Sequence, residues 1–196
     1  MKKGGIMASP KILVFAGSIR TGAFSGKLAA AAAKELALND ADVTMISLAD
    51  YPLPIFNGDL EKSEGIPENA KKLARQIAAS QGVFIATPEY NNSMPPLLKN
   101  TIDWISRIKA EEIAYQNRVY AVASSAPGPV GGARALMDVR KTIMPGLSGI
   151  VLPGKVEIGR APDAFDESGN LIAEVPAKLL KALCKSLVDM AGRLAD

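Results

Sequence analysis

Histidine is absent from this chain of 196 residues. Its absence removes zinc sites built on imidazole, Ser-His-Asp triads and Cys-His pairs, and with them many hydrolase mechanisms. Cysteine occurs once, as Cys184, so no intrachain disulfide framework is available and a reducing compartment, the cytoplasm by default, is expected. No apolar run reaches the roughly 20 residues of a membrane span, so no membrane association is expected. Charge of one sign is not concentrated anywhere: 23 Lys and Arg are interleaved with 20 Asp and Glu, leaving +3. A chain without a basic run is not expected to bind nucleic acid, while mild positive charge suits an anionic cofactor.

What remains is ordinary for a globular protein, with 48% hydrophobic and 22% charged residues. The opening MKKGGIM has lysines cut by glycines and no separate apolar segment. Residues 1–10 are therefore expected to be a disordered extension rather than a signal peptide, with residues 11–196 forming one domain.

The most informative stretch is 82–107, GVFIATPEYNNSMPPLLKNTIDWISR. A short apolar run ends at Thr87-Pro88, a polar loop follows, and Leu97, Leu98, Thr101, Ile102, Ile105 and Ile108 recur at helical spacing. This predicts a buried strand, a loop at its carboxyl end and a returning helix, with Pro88 stopping the strand because it has no N–H for the ladder. Other apolar runs predict strands at 11–16, 43–48 and 117–123, and a fifth broken around Pro153-Gly154 (150–152 and 156–158). Helices are predicted over 26–38, 68–80, 133–144 and 176–194, with a long Pro- and Gly-rich connection at 49–66. Strand-helix alternation repeated five times implies a parallel α/β sheet with helices on both faces.

Ligands of such sheets sit beyond the carboxyl ends of strands, so the loops there are the candidate site. The first, GSIRTGAFS, joins a strand to a helix start: small residues admit a phosphate, Ser18 and Ser25 offer hydroxyls and Arg20 a guanidinium. It matches neither GxGxxG nor GxxxxGK[ST]. In the second, Glu89 serves to orient the loop, Tyr90 can stack on a flat ring, and Asn91 can offer donors and an acceptor to ring heteroatoms. The third, SSAPGPVGG, leaves backbone groups and Ser124 to meet a ligand. Trp104 reads as core or subunit interface, Cys184 as a buried small hydrophobe, and Asp166 either approaches a neighbouring site or does nothing.

With these loops in view, the chain resembles the NADPH-dependent FMN reductase family of flavodoxin-like proteins, which includes bacterial quinone, azo-dye and chromate reductases. The resemblance rests on Gly17-Ser18-x-Arg20 with Phe24-Ser25, on TPEYN-x-S-x-P-x-x-L-K-N-x-I-D-W from Thr87 to Trp104, on Pro127-Gly128 with GGAR ending at Arg134, and on AFDESG at 164–169. It implies a flavodoxin-like three-layer sandwich, with a five-stranded parallel sheet in the order 2-1-3-4-5, and one non-covalent FMN. Ser18, Arg20 and Ser25 would hold the phosphate, Pro88, Glu89, Tyr90 and Asn91 would line the ring, and Ser124 would close the far side. The family pattern GSxRxxSxN is altered, with Ala23 for the second serine and Ser25 for the asparagine.

The activity implied is hydride transfer from NADPH or NADH through FMN to a small-molecule acceptor: a quinone, azo compound, free flavin or metal oxyanion. The flavin carries the chemistry, so no catalytic acid or base and no metal is required. A homodimer or homotetramer is implied, with Trp104, Ile105 and the 49–66 connection as candidate contacts. The alternatives are a flavodoxin-like electron carrier, which +3 and Arg20 fit poorly, and a flavin-binding sensor.

Overall fold

The computed structural model describes residues 9–194. Of the extension expected over residues 1–10, residues 1–8 lie outside the described residues, whereas Pro10 is buried and its carbonyl accepts from the Asp42 N–H at 3.0 Å.

The strands form one parallel sheet. β1 (Lys11–Ala16), β2 (Asp42–Met45), β3 (Gly82–Pro88), β4 (Val119–Ser125) and β5 (Ile150–Val151) pair in the order β2-β1-β3-β4-β5. The last position is broken as expected: β6 (Val156–Ile158) also pairs with β4, further along its edge. Strand residues alternate between the two faces. Ile12, Val14, Phe84, Ala86, Val119, Ala121 and Ala123 point to one core, and Leu13, Phe15, Val83, Ile85, Tyr120 and Val122 to the other.

The first core is covered by α1 (Phe24–Ala37) and α7 (Glu174–Gly192), the second by α3 (Glu68–Ala78), α4 (Pro96–Ile105) and α5 (Ala133–Gly146). The alanine-rich α1 buries Leu28, Ala29, Ala32 and Leu36 against the sheet. Cys184 is buried on α7, where removal from water pushes its thiol up to about 12, so it is packing material rather than a nucleophile. Among the described residues no helix is long and apolar enough to cross a membrane.

Two expectations change. The connection at 49–66 carries a 3-10 turn (Leu48–Asp50) and a helix, α2 (Gly58–Glu64), started by Asn57, whose side chain accepts the Asp59 N–H at 2.8 Å. Trp104 and Ile105 are not available as subunit contacts, because both are buried within the chain. The connection itself covers Trp104: the indole N–H donates to the Pro54 carbonyl at 2.8 Å, and Phe56 packs edge-on against the ring at 5.0 Å. Asn100 fastens the same segment, accepting from the Phe56 N–H and donating to Pro54 O. A small helix, α6 (Ala161–Ala164), precedes the late polar loop.

Candidate active site

Strand order reverses direction between β1 and β3, so the loops leaving their carboxyl ends part and open a crevice. The loop after β1 starts with Gly17, whose N–H bonds the Ala86 carbonyl at 2.8 Å. A Cβ here would come within 3.2 Å of Leu98 and 3.3 Å of Pro95, so glycine lets this loop lie against the start of α4. Gly22 takes the left-handed turn (φ +71°) that leads into α1.

The start of α1 lacks internal compensation. Its N-cap is Ala23, no side chain caps it, and no acid lies in its first turn. Among the described residues the N–H groups of Phe24 and Ser25 find no protein acceptor. The Ser25 hydroxyl is buried and has no partner. Unpaired N–H groups, the positive end of a helix, an orphaned hydroxyl and the exposed Arg20 guanidinium are the donor set a phosphate dianion requires. The residues present therefore fit the FMN phosphate despite the Ala23 and Ser25 departures.

The loop after β3 is a two-residue hairpin turn. Tyr90 and Ser93 exchange both backbone hydrogen bonds, at 3.0 and 3.1 Å, and Asn91 and Asn92 are left-handed with φ of 50° and 64°. Asparagine tolerates that region, which accounts for the Asn-Asn pair. The turn sets Tyr90 beside the first loop: its hydroxyl lies 3.1 Å from Ser18 Oγ, which also accepts the Arg20 N–H at 3.3 Å. A cavity of about 240 Å³ lies here, lined by Gly17, Ser18, Arg20, Tyr90, Pro96 and Leu97 among others.

Glu89 joins the second loop to the third. Its carboxylate accepts the N–H groups of Arg134 and Ala135 at 3.0 and 3.1 Å, capping α5 from outside, where Gly132 supplies no side-chain cap. Arg134 donates to the Asn92 side chain at 3.1 Å, and Ser93 donates to Asp138 at 2.5 Å. The Asp138 carboxyl is held below the usual carboxylate range, first by Lys141 and then by Ser93. Ser124 is fully buried and donates to the Gly131 carbonyl at 2.7 Å, fixing the third loop from beneath.

Ser18, Arg20 and Tyr90 thus stand together at one rim. Pro88 closes β3 opposite Ser125 of β4, Glu89 braces the loops, Asn91 is exposed at the turn tip, and Ser25 and Ser124 lie buried beneath their loops. Asp138 and Ser93 were missed as loop supports. Their partnership spans 45 residues of sequence, and only the known strand order could have suggested it.

The strand order, the two covered faces and the crevice define a flavodoxin-like α/β protein, with unpaired donors at the start of α1. Residues 10–163 match the family described as NADPH-dependent FMN reductase, and the chain belongs to that family. It is an NAD(P)H-dependent oxidoreductase with FMN as its cofactor. It is 35% identical over 134 residues to a quinone reductase of Escherichia coli K12, covering 68% of this chain and 69% of that one. It is 32% identical over 185 residues to an NAD(P)H-dependent FMN reductase of Pseudomonas aeruginosa, covering 94% and 96%. Among solved structures it resembles the flavoenzyme NAD(P)H:(acceptor) oxidoreductase FerB of Paracoccus denitrificans, with a TM-score of 0.77, 26% identity and coverage of 94% and 98%.

Proposed function

We propose that this protein is a quinone reductase whose FMN site is made by the loops after β1, β3 and β4. The observation that carries this reading is the linkage of the three loops into one rim: Ser18 to Tyr90, Glu89 to the start of α5, and Ser124 to Gly131. The reductases among its relatives favour an enzyme over an electron carrier.

Bound FMN supplies two-electron hydride chemistry, and the chain's own residues bind, orient and shield. Arg20 and the free N–H groups of α1 hold the phosphate, with Ser18 and the Ser25 hydroxyl completing the shell. Tyr90 and Asn91 flank the ring with Pro88. Glu89 and Ser124 act at one remove, by holding the second and third loops in register. The nicotinamide and then the electron acceptor occupy the same open shelf in turn. That openness also suits azo compounds, free flavin and chromate as acceptors. We place the enzyme in the cytoplasm as a homodimer or homotetramer, and residues 11–196 as one domain. The exposed Ile55 on the 49–66 connection is a candidate for the subunit contact.

The test is turnover of the FMN-loaded protein on a quinone panel with NADPH and with NADH. Quinone reduction far above the oxidase background is expected. A protein that binds FMN yet reduces no quinone with either nicotinamide would refute this reading in favour of a carrier or sensor.

A further inference from the structure

Among the described residues a second cavity is larger than the one beside Tyr90. It measures about 480 Å³ and lies between α1, the loop at 168–171 and the start of α7. That is within the range of small-molecule sites, roughly 300–1,000 Å³, and well beyond the needs of a lone phosphate. It adjoins the loop after β1, since Arg20, Gly22 and Ala23 are part of its lining.

Its chemistry is two-sided. Ala30, Ala31, Leu171 and Leu180 make an apolar floor, and the small residues allow a flat group to lie against the helix. Arg20, Lys27 and Lys34 stand around it, with Glu35 the one carboxylate in the lining. Six ion pairs occur among the described residues, yet none involves these three cations. Lys27 and Lys34 are two helical turns apart, roughly 10 Å, so their charges form a row rather than a point.

The outer wall is fixed as well. Lys34 donates to Asn170 Oδ1 at 2.8 Å, and Asn170 donates twice to Asp166, at 2.7 and 2.9 Å. Phe165 stacks on Phe24 with ring centres 6.3 Å apart. The late acidic loop, which the flavin site leaves unexplained, thereby becomes the wall of a cavity.

We propose that this cavity binds the adenylate half of a dinucleotide, with the purine on the apolar floor and its phosphate on the Arg20–Lys27 side. The proposal rests on the FMN-site reading, since it takes the first loop as the point where a phosphorylated ligand enters. Adenylate reaches the cavity from either of two sources: joined to the flavin phosphate, as in FAD, or as part of the nicotinamide dinucleotide.

The experiment titrates FMN-loaded protein with 5′-AMP by calorimetry, for the wild type, Lys27→Met and Ala30→Trp. Saturable binding is expected, weakened about tenfold in Lys27→Met and lost in Ala30→Trp, whose indole fills the floor. FMN affinity should stay within about twofold in both variants, and thermal melts confirm that they fold. No saturation of the wild type by about 10 mM AMP, or equal AMP affinity in all three proteins, overturns the proposal. The source is then read separately. Weaker FAD binding with FMN spared in Ala30→Trp assigns the adenylate to the flavin; a raised KM for NADPH at constant kcat assigns it to the nicotinamide. Wild-type protein that takes up no FMN would overturn the underlying reading instead, and flavin fluorescence detects that before AMP is added.

Discussion

Replacing Glu89 by alanine separates the role assigned to this residue from that of a ligand-touching group. Its carboxylate receives the Arg134 and Ala135 N–H groups at 3.0 and 3.1 Å, and α5 has no cap of its own. Losing a helix cap costs about 0.5–2 kcal/mol. Removing a negative charge from a helix N-terminus costs a further ~0.3–1 kcal/mol. Because Glu89 is half-buried, we take about 2 kcal/mol for the pair of effects. For a chain of this length each kcal/mol moves Tm by roughly 2–4 °C, so the melting point of Glu89→Ala should fall by about 4–8 °C. Glu89→Gln keeps an acceptor oxygen and loses the charge, so it should fall by about half as much. Thermal unfolding by circular dichroism reads both, alongside FMN affinity, which should drop with the loss of register between the second and third loops. A Glu89→Ala melt within about 1 °C of wild type would show that the carboxylate does not hold α5, and the bracing role would be wrong.

Two further outcomes follow from the same loops. A Cβ on Gly159 would sit 2.2 Å from the Pro129 carbonyl, and backbone cannot swing aside as a side chain can. Gly159→Ala should therefore destabilise by about 1–3 kcal/mol and weaken FMN binding through the displaced third loop; an unchanged denaturant midpoint would show that the loop has slack there. Asp138 has its carboxyl depressed in the folded state, chiefly by Lys141 and then by Ser93. Its contribution is therefore full above the unfolded value of about 3.9 and is lost as pH falls through the lower folded value. The stability difference between wild type and Asp138→Asn should shrink on acidification below about pH 4, and a difference that stays constant in that window would remove Asp138 from the acid limb.

Most of the scaffold was legible because the central strands are buried on both faces. KILVFA and GVFIATP are continuous apolar runs bounded by loop residues, and helical stripes such as Leu98, Thr101, Ile102 and Ile105 separate cleanly from them. The break at Pro153-Gly154 also declared itself, since proline cannot serve the ladder. Strand order came from the resemblance, because alternation alone fixes neighbours only loosely. Helix α2 was hidden within a Pro-rich segment although Asn57 is a sound N-cap; it has no buried residue and so no apolar stripe to detect. Trp104 carried two readings, and its burial depended on Pro54 and Phe56, fifty and forty-eight positions earlier.

The site was legible as loops but not as roles. Ser18, Arg20 and Tyr90 line one cavity, but nothing in SSAPGPVGG says that Ser124 turns inward to Gly131. The amides of Asn91 and Asn92 suggest ligand contacts, while the backbone uses the pair for two consecutive left-handed residues. The cavity beneath the late loop is a product of tertiary packing between α1 and α7, which a linear reading does not reach.

Flavin fluorescence quenching with wild-type and Arg20→Ala protein bears most directly on the claim that these loops form one FMN site. A single saturable site is expected in the wild type and a dissociation constant raised about 10- to 100-fold in the variant, the worth of a charged contact to phosphate. Equal affinity in the two proteins would place the phosphate elsewhere and contradict the account.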